Sequence, residues 1–231
     1  MSAGSGRAMR RVGAGGACGL MACLTLTGCS LLFGQQPPTN LFVLTQNGTS
    51  PVVSSERALR VGVGPLRMPG YLDRPEMVVR IEANRVAPVP GARWAEPLST
   101  SMLSIIGDDL GLRLGAGEIL LFPWWANQRI DYKISVDVIR FEAEAGASTP
   151  VTDAATGTGS VRLWARWWVD LSASGFSDFG AEFDRRRPVV VTDGEAIART
   201  MSDLLDDLAT EIASTVDRHA AGGSPAPAGG S

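Results

Sequence analysis

Cysteine and histidine, the side chains most often used for thiol, imidazole and metal chemistry, are scarce in this 231-residue chain. There are three cysteines, Cys18, Cys23 and Cys29, and none lies beyond residue 29. A thiol can act as nucleophile, metal ligand or disulfide partner, so the rest of the chain lacks all three uses. The one histidine, His219, borders the tail "AAGGSPAPAGGS". A hydrolase triad or a zinc site needs its imidazole held rigidly, so neither is expected there. Adjacent aspartates occur at Asp108–Asp109 and Asp206–Asp207. Neighbours on a helix point about 100° apart, so these read as solvated acids rather than a catalytic pair. The glycines of "GVGP" and "LGLRLGAGE" form neither a phosphate-binding loop nor a dinucleotide fingerprint and read as turns. No catalytic set emerges; a hydrolase working with carboxylates alone is the remaining enzymatic alternative.

The surroundings of Cys29 point to modification instead. Arg7, Arg10 and Arg11 form a positive segment without acids, and the apolar stretch Ala17 to Gly28 follows. That stretch is too short for a membrane-spanning helix, which needs about 20 apolar residues. It ends in "LTGC", Leu26 to Cys29. This order resembles the signal peptide and lipobox of bacterial lipoproteins. The resemblance implies that the Cys29 thiol is linked to diacylglycerol, that the chain is cut before it, and that the new amine is acylated, palmitate being a typical chain. One acyl chain holds a protein only marginally, at about 0.8 kcal/mol per buried methylene, whereas three hold it almost permanently. Ser30 rather than Asp follows Cys29, which by the sorting rule of that family implies the outer membrane, facing the periplasm. The covalent lipid on Cys29 is the only attached group expected; no cofactor or metal is.

Residues 1–28 are therefore expected to be a signal peptide, 29–40 the lipidated cysteine and a tether, 41–219 a single domain, and 220–231 a disordered tail. Removing the signal takes three of the 21 Lys and Arg and none of the 24 Asp and Glu. The acidic remainder, with no basic run, is not a nucleic-acid binder.

The elements that position any site follow from periodicity. "LFVLT" (41–45) and "LRVGVGPL" (59–66) read as strands, the second ended by Pro65. "MVVRI" follows a turn at Asp73–Pro75, with a short returning strand around Val86. Leu98, Met102, Ile105 and Ile106 fall at helical spacing between Pro97 and Leu114. Ile130, Tyr132, Ile134, Val136 and Val138 alternate with polar residues, as do Val161, Leu163, Ala165, Trp167, Val169 and Leu171 with Arg162, Trp164, Arg166, Trp168 and Asp170. Period two makes these a hairpin with opposite faces, the intervening Glu144–Ser160 being a mobile loop. "FDRRRPVVV" reads as a strand near an edge because of Pro188. A capping box at Thr192 and Glu195 opens the last helix, whose stripe runs Ile197, Met201, Leu204, Leu205, Leu208, Ile212 and Val216. The expected fold class is α+β, a mainly antiparallel sheet with two principal helices packed on one face.

Six tryptophans stand out: 94, 124, 125, 164, 167 and 168. Trp167 reads as core. Trp164 and Trp168 share a strand face with Arg162 and Arg166, where stacking and cation–π contact favour a partner-binding or self-association face. "YLDRP" and "RWAEPL" place Tyr71, Asp73, Arg74, Arg93, Trp94 and Glu96 in segments that turns alone would fill with small residues. These six are expected to lie together and to form a contact surface for a protein partner or a second copy. The alternative is an internal Arg–carboxylate network that fixes the loops.

"YLDRPEMVVR", "RWAEPL", "IDYKISVDVIRFEAE", the Trp-rich strand and the last helix, taken in order, resemble the ABC-type transport auxiliary lipoproteins of the PqiC kind, over about Leu41 to Val216. The resemblance implies a non-enzymatic component of an intermembrane transport system that contributes to envelope integrity. It further implies a membrane-anchored MCE-domain protein as partner and lipid as cargo. The alternative function is an assembly or structural lipoprotein of another envelope complex.

Overall fold

The computed structural model describes residues 38–47, 59–125, 127–146, 157–171 and 177–220. The signal segment, Cys29, residues 221–231 and the centre of the Glu144–Ser160 loop lie outside the described residues. From Thr39 onward the described residues belong to one compact unit.

Among the described residues, eight strands and two helices follow in the order β1 (Asn40–Phe42), β2 (Arg60–Arg67), β3 (Glu76–Glu82), β4 (Arg85–Trp94), α1 (Leu98–Leu114), β5 (Glu118–Leu121), β6 (Tyr132–Ala145), β7 (Thr158–Leu171), β8 (Ser177–Val190) and α2 (Gly194–Ala220). All eight strands join one sheet, and β6 is its hub. Along one side, β6 pairs with β7 antiparallel over its whole length, and β7 pairs likewise with β8. On its other side β6 is shared: β2 runs parallel to its first half and β3 parallel to its end. β5 then pairs parallel with β2, β4 antiparallel with β3, and β1 parallel with β4.

The sheet is therefore mixed, not mainly antiparallel. Four of the seven strand pairings are parallel. Hydrophobic alternation specifies which face a residue occupies but says nothing about which strand lies beside it or in which direction. The α+β class holds.

Other differences have local causes. β2 runs through Pro65, which follows a cis peptide bond, and the pairing with β6 shifts register there. "RW" of "RWAEPL" closes β4, a strand of ten residues rather than a short return. β5, four residues of continuous apolar and acidic sequence, carries too little periodicity to be read in advance. Glu144 and Ala145 extend β6 opposite Ser160 and Gly159, so the loop is shorter than expected. Asp193 rather than Thr192 caps α2: its Oδ1 accepts from the N–H of Glu195 at 3.0 Å and of Ala196 at 3.1 Å. Gly115 ends α1 in the left-handed region, φ 56°, where a side chain would be strained.

One face of the sheet is covered. The stripe of α2 from Ile197 to Val216 is buried, as are Val136, Phe141, Leu163, Trp167 and Phe183 on the strands beneath it. α1 lies against β2 and β5 and packs on α2. Each fully buried Leu or Ile here is worth about 1.5–3 kcal/mol. The helices thus cover the inner face and leave the outer one open.

Candidate functional site

On the outer face the side chains of β6, β7 and β8 form a charged lattice. Arg162 donates two hydrogen bonds to Asp184, at 2.8 and 2.6 Å. Arg166 pairs with Glu182 and Arg186 with Glu144, both at 3.3 Å. The hydrogen bond from Arg162 holds the Asp184 carboxyl below the usual carboxylate range. Trp164 sits in register between Arg140 and Asp184, and Trp168 between Ser135 and Gly180. Both indoles are half-buried, and the Arg162 guanidinium lies 4.8 Å from the Trp164 ring. The two tryptophans and two arginines expected to share a face do share it.

Where β2 gives way to β3 beside β6, the lattice turns inward. A bulge between Val138 and Arg140 shifts the phase of β6, so Phe141 and Ala143 face the core while Glu142 faces the gap. The Glu142 side chain is fully buried. It accepts from Arg80 Nε at 2.7 Å, from the Tyr71 hydroxyl at 3.0 Å and from Arg140 at 3.4 Å. Burial, and then the charge of Glu142, push the Tyr71 phenol up, so it stays a donor. A cleft of about 460 Å³, lined by Tyr71, Arg80, Ile139, Arg140 and Trp164 among others, opens beside this network.

The residues of "YLDRP" and "RWAEPL" are brought together, and each finds an internal neighbour. Asp73 accepts from the Ser99 N–H at 3.0 Å and its hydroxyl at 2.9 Å, capping α1 from outside. Arg74 donates to Glu76 at 2.8 Å, and Arg93 approaches the same carboxylate at 3.6 Å. Arg74 thereby holds Glu76 below its usual range. Glu96 accepts from the Ser101 hydroxyl at 2.6 Å. Trp94 is buried, 7% exposed, and its backbone N–H donates to the Pro75 carbonyl. That is a correction: the strand alternation of β4 turns this indole into the core, away from any contact surface.

Two readings of the acids also change. Asp109 is fully buried rather than solvated, and neither oxygen has a partner in hydrogen-bonding geometry, although Gln46 stands close enough to act on it. Burial pushes its carboxyl up. Asp206 is bonded to Arg113 of α1, and Asp207 to Arg187 of β8 at 2.7 Å. These acids tie α2 to its neighbours. His219 is held by the last turn of α2, stacked 4.7 Å from Phe179. Among the described residues no three His, Cys, Asp or Glu gather as metal ligands, and no helix is long and apolar enough to cross a membrane.

Sequence reasoning missed Arg80, Arg140 and Glu142. The available signal was the slip from Val138 to Phe141, three residues where alternation requires two.

The architecture defines a small α+β domain with a helix-covered inner face and a polar, tryptophan-bearing outer face. The model of the ABC-type transport auxiliary lipoprotein components matches residues 42–213, and the chain belongs to that family. The family is one of membrane-anchored transport auxiliaries, not a class of enzymes. Among solved structures, protein XCC0632 from Xanthomonas campestris is similar in fold: TM-score 0.60, 18% identity, over 78% of this chain and 99% of that one. An uncharacterized protein is similar with a TM-score of 0.50 at 13% identity, over 79% of this chain and 99% of its own. No curated protein matches the sequence.

Proposed function

We propose that this chain is a non-enzymatic lipoprotein of the outer membrane, held by lipid on Cys29 and facing the periplasm. It docks an MCE-domain protein of an ABC-type intermembrane lipid transport system and so contributes to envelope integrity. The observation that carries this reading is the family match, which extends over nearly the whole described domain. The geometry supports docking: among the described residues no helix lies over the outer sheet face, which presents Trp164, Trp168 and paired charges. Trp and Arg are the residues that interfaces favour. Tyr71, Asp73 and Glu96 hold the rim in shape through internal hydrogen bonds, while the partly exposed Arg74 and Arg93 around Glu76 extend it.

Crosslinking in membranes followed by affinity capture is expected to recover an MCE-domain protein, and Trp164→Ala with Trp168→Ala to reduce that recovery. Repeated recovery of an outer-membrane β-barrel alone would replace the reading with that of an assembly lipoprotein. Cys29→Ala is expected to leave the precursor unprocessed. A Cys29→Ala chain that matures and fractionates with the outer membrane would end the lipoprotein part.

A further inference from the structure

The loop that joins β5 to β6 is absorbed by none of this. From Ile119 to Ile130 the chain reads "ILLFPWWANQRI", in which Arg129 is the single charged residue. Trp125 is 78% exposed, Phe122 44% and Leu121 41%. An exposed tryptophan at that level gains nothing for the fold. Its neighbour Trp124 is rooted: its ring lies over Gly62 of β2, so close that an added Cβ would come within 3.2 Å, with Ile130 at 3.0 Å. Phe122 meets the Trp124 ring edge-on, centroids 5.3 Å apart. A closed turn then presents Trp125. Its N–H donates to the Gln128 side chain at 2.9 Å, and the Gln128 N–H returns a bond to its carbonyl at 3.0 Å. Arg129 follows directly, exposed and without an ion pair among the described residues. Lys133 stands in register between Gly62 of β2 and Asp170 of β7.

We infer that Leu121, Phe122, Trp124, Trp125 and Arg129 form a bilayer-contacting element that settles at the headgroup level of a phospholipid membrane. A rigidly held indole with an apolar body and a polar N–H suits that boundary, and an adjacent unpaired cation complements anionic headgroups. The anchor makes the bilayer the surface always within reach. Nine residues lie between Cys29 and Thr39, which are therefore at most about 35 Å apart when the chain is extended. The proximity argument rests on the anchored reading above, so the test removes the lipid and lets the two fail separately.

The chain from residue 29 onward, made with Cys29→Ser and therefore free of lipid, is mixed with vesicles of phosphatidylcholine and of phosphatidylcholine with phosphatidylglycerol. Cosedimentation and tryptophan emission are read. The parent chain is expected to bind the anionic vesicles with a blue-shifted emission. Trp125→Ala should weaken binding about tenfold, the scale of one large apolar side chain. Arg129→Gln should weaken binding to anionic vesicles by a few-fold and flatten its salt dependence. Both side chains are exposed, so melting should be unchanged. A parent chain that ignores both vesicles overturns the inference, as does unchanged binding by Trp125→Ala. Self-association through Trp125 in the absence of any vesicle binding overturns it too and makes the patch a protein contact.

Discussion

The two faces of β6, β7 and β8 are built by the same three strands and obey opposite chemistry. The inner face is apolar and sealed by α2, and its residues interchange readily in principle because each needs only shape and oiliness. The outer face keeps its order through specific pairs: Arg162 with Asp184, Arg186 with Glu144, and the buried Glu142 with Arg80 and Tyr71. The difference teaches where stability and where recognition reside. A surface left open to water retains a shape only if its charges hold one another, and such a surface can be altered without dismantling the core.

The sharpest break of that contrast is Arg80→Ala. Although on the outer side, it strips a fully buried carboxylate of its closest partner, and a loss of about 3–5 kcal/mol is expected by denaturant unfolding. A loss under 1 kcal/mol would mean Glu142 is relieved by water or by Arg140. Leu208→Ala, in the α2 stripe, is expected to cost about 2–5 kcal/mol by cavity formation.

Asp109→Asn should act in the other direction. Because the folded carboxyl is pushed up, its stabilising contribution is present below the ordinary carboxylate range and lost as pH rises through the raised value. The variant should therefore be more stable than the parent near pH 7, on the order of 1 kcal/mol, with the gap closing toward pH 4. Asp184 on the outer face slopes oppositely: its contribution is present above the ordinary range and lost as pH falls through the depressed value. Parallel melting curves for parent and Asp109→Asn across this range would refute the assignment. The smallest effect belongs to Arg166→Ala, whose pair with Glu182 is exposed on both sides, at roughly 0–1 kcal/mol. Such a variant suits capture experiments, since the fold should be untouched.

The sequence exposed faces better than it exposed neighbours. Alternation in Val161–Leu171 and the stripe from Ile197 to Val216 placed the core residues correctly, because burial is written in local periodicity. Parallel pairing of β2 and β3 with β6 was illegible, since the partners lie about seventy residues apart and no local signal records direction. The candidate site was half legible. Trp164 and Trp168 were found by their shared face, while Glu142 was hidden by a bulge that reversed the phase. Trp94 was misplaced because "RWAEPL" reads as a turn segment rather than as the end of β4. The acids of α2 were misread because their basic partners, Arg113 of α1 and Arg187 of β8, sit on other elements, and Asp109 of α1 because it is buried.

The position of β6 as hub has a bearing on the order of assembly. Val61 of β2 finds Tyr132 as its partner, and Val79 of β3 finds Ala143. Without residues 132–145, β2, β5 and α1 form one piece and β1, β4 and β3 another, and no strand joins the two. The first half of the chain is thus kept from closing its sheet prematurely, and the domain forms late, through contacts between distant segments that mark slow folders.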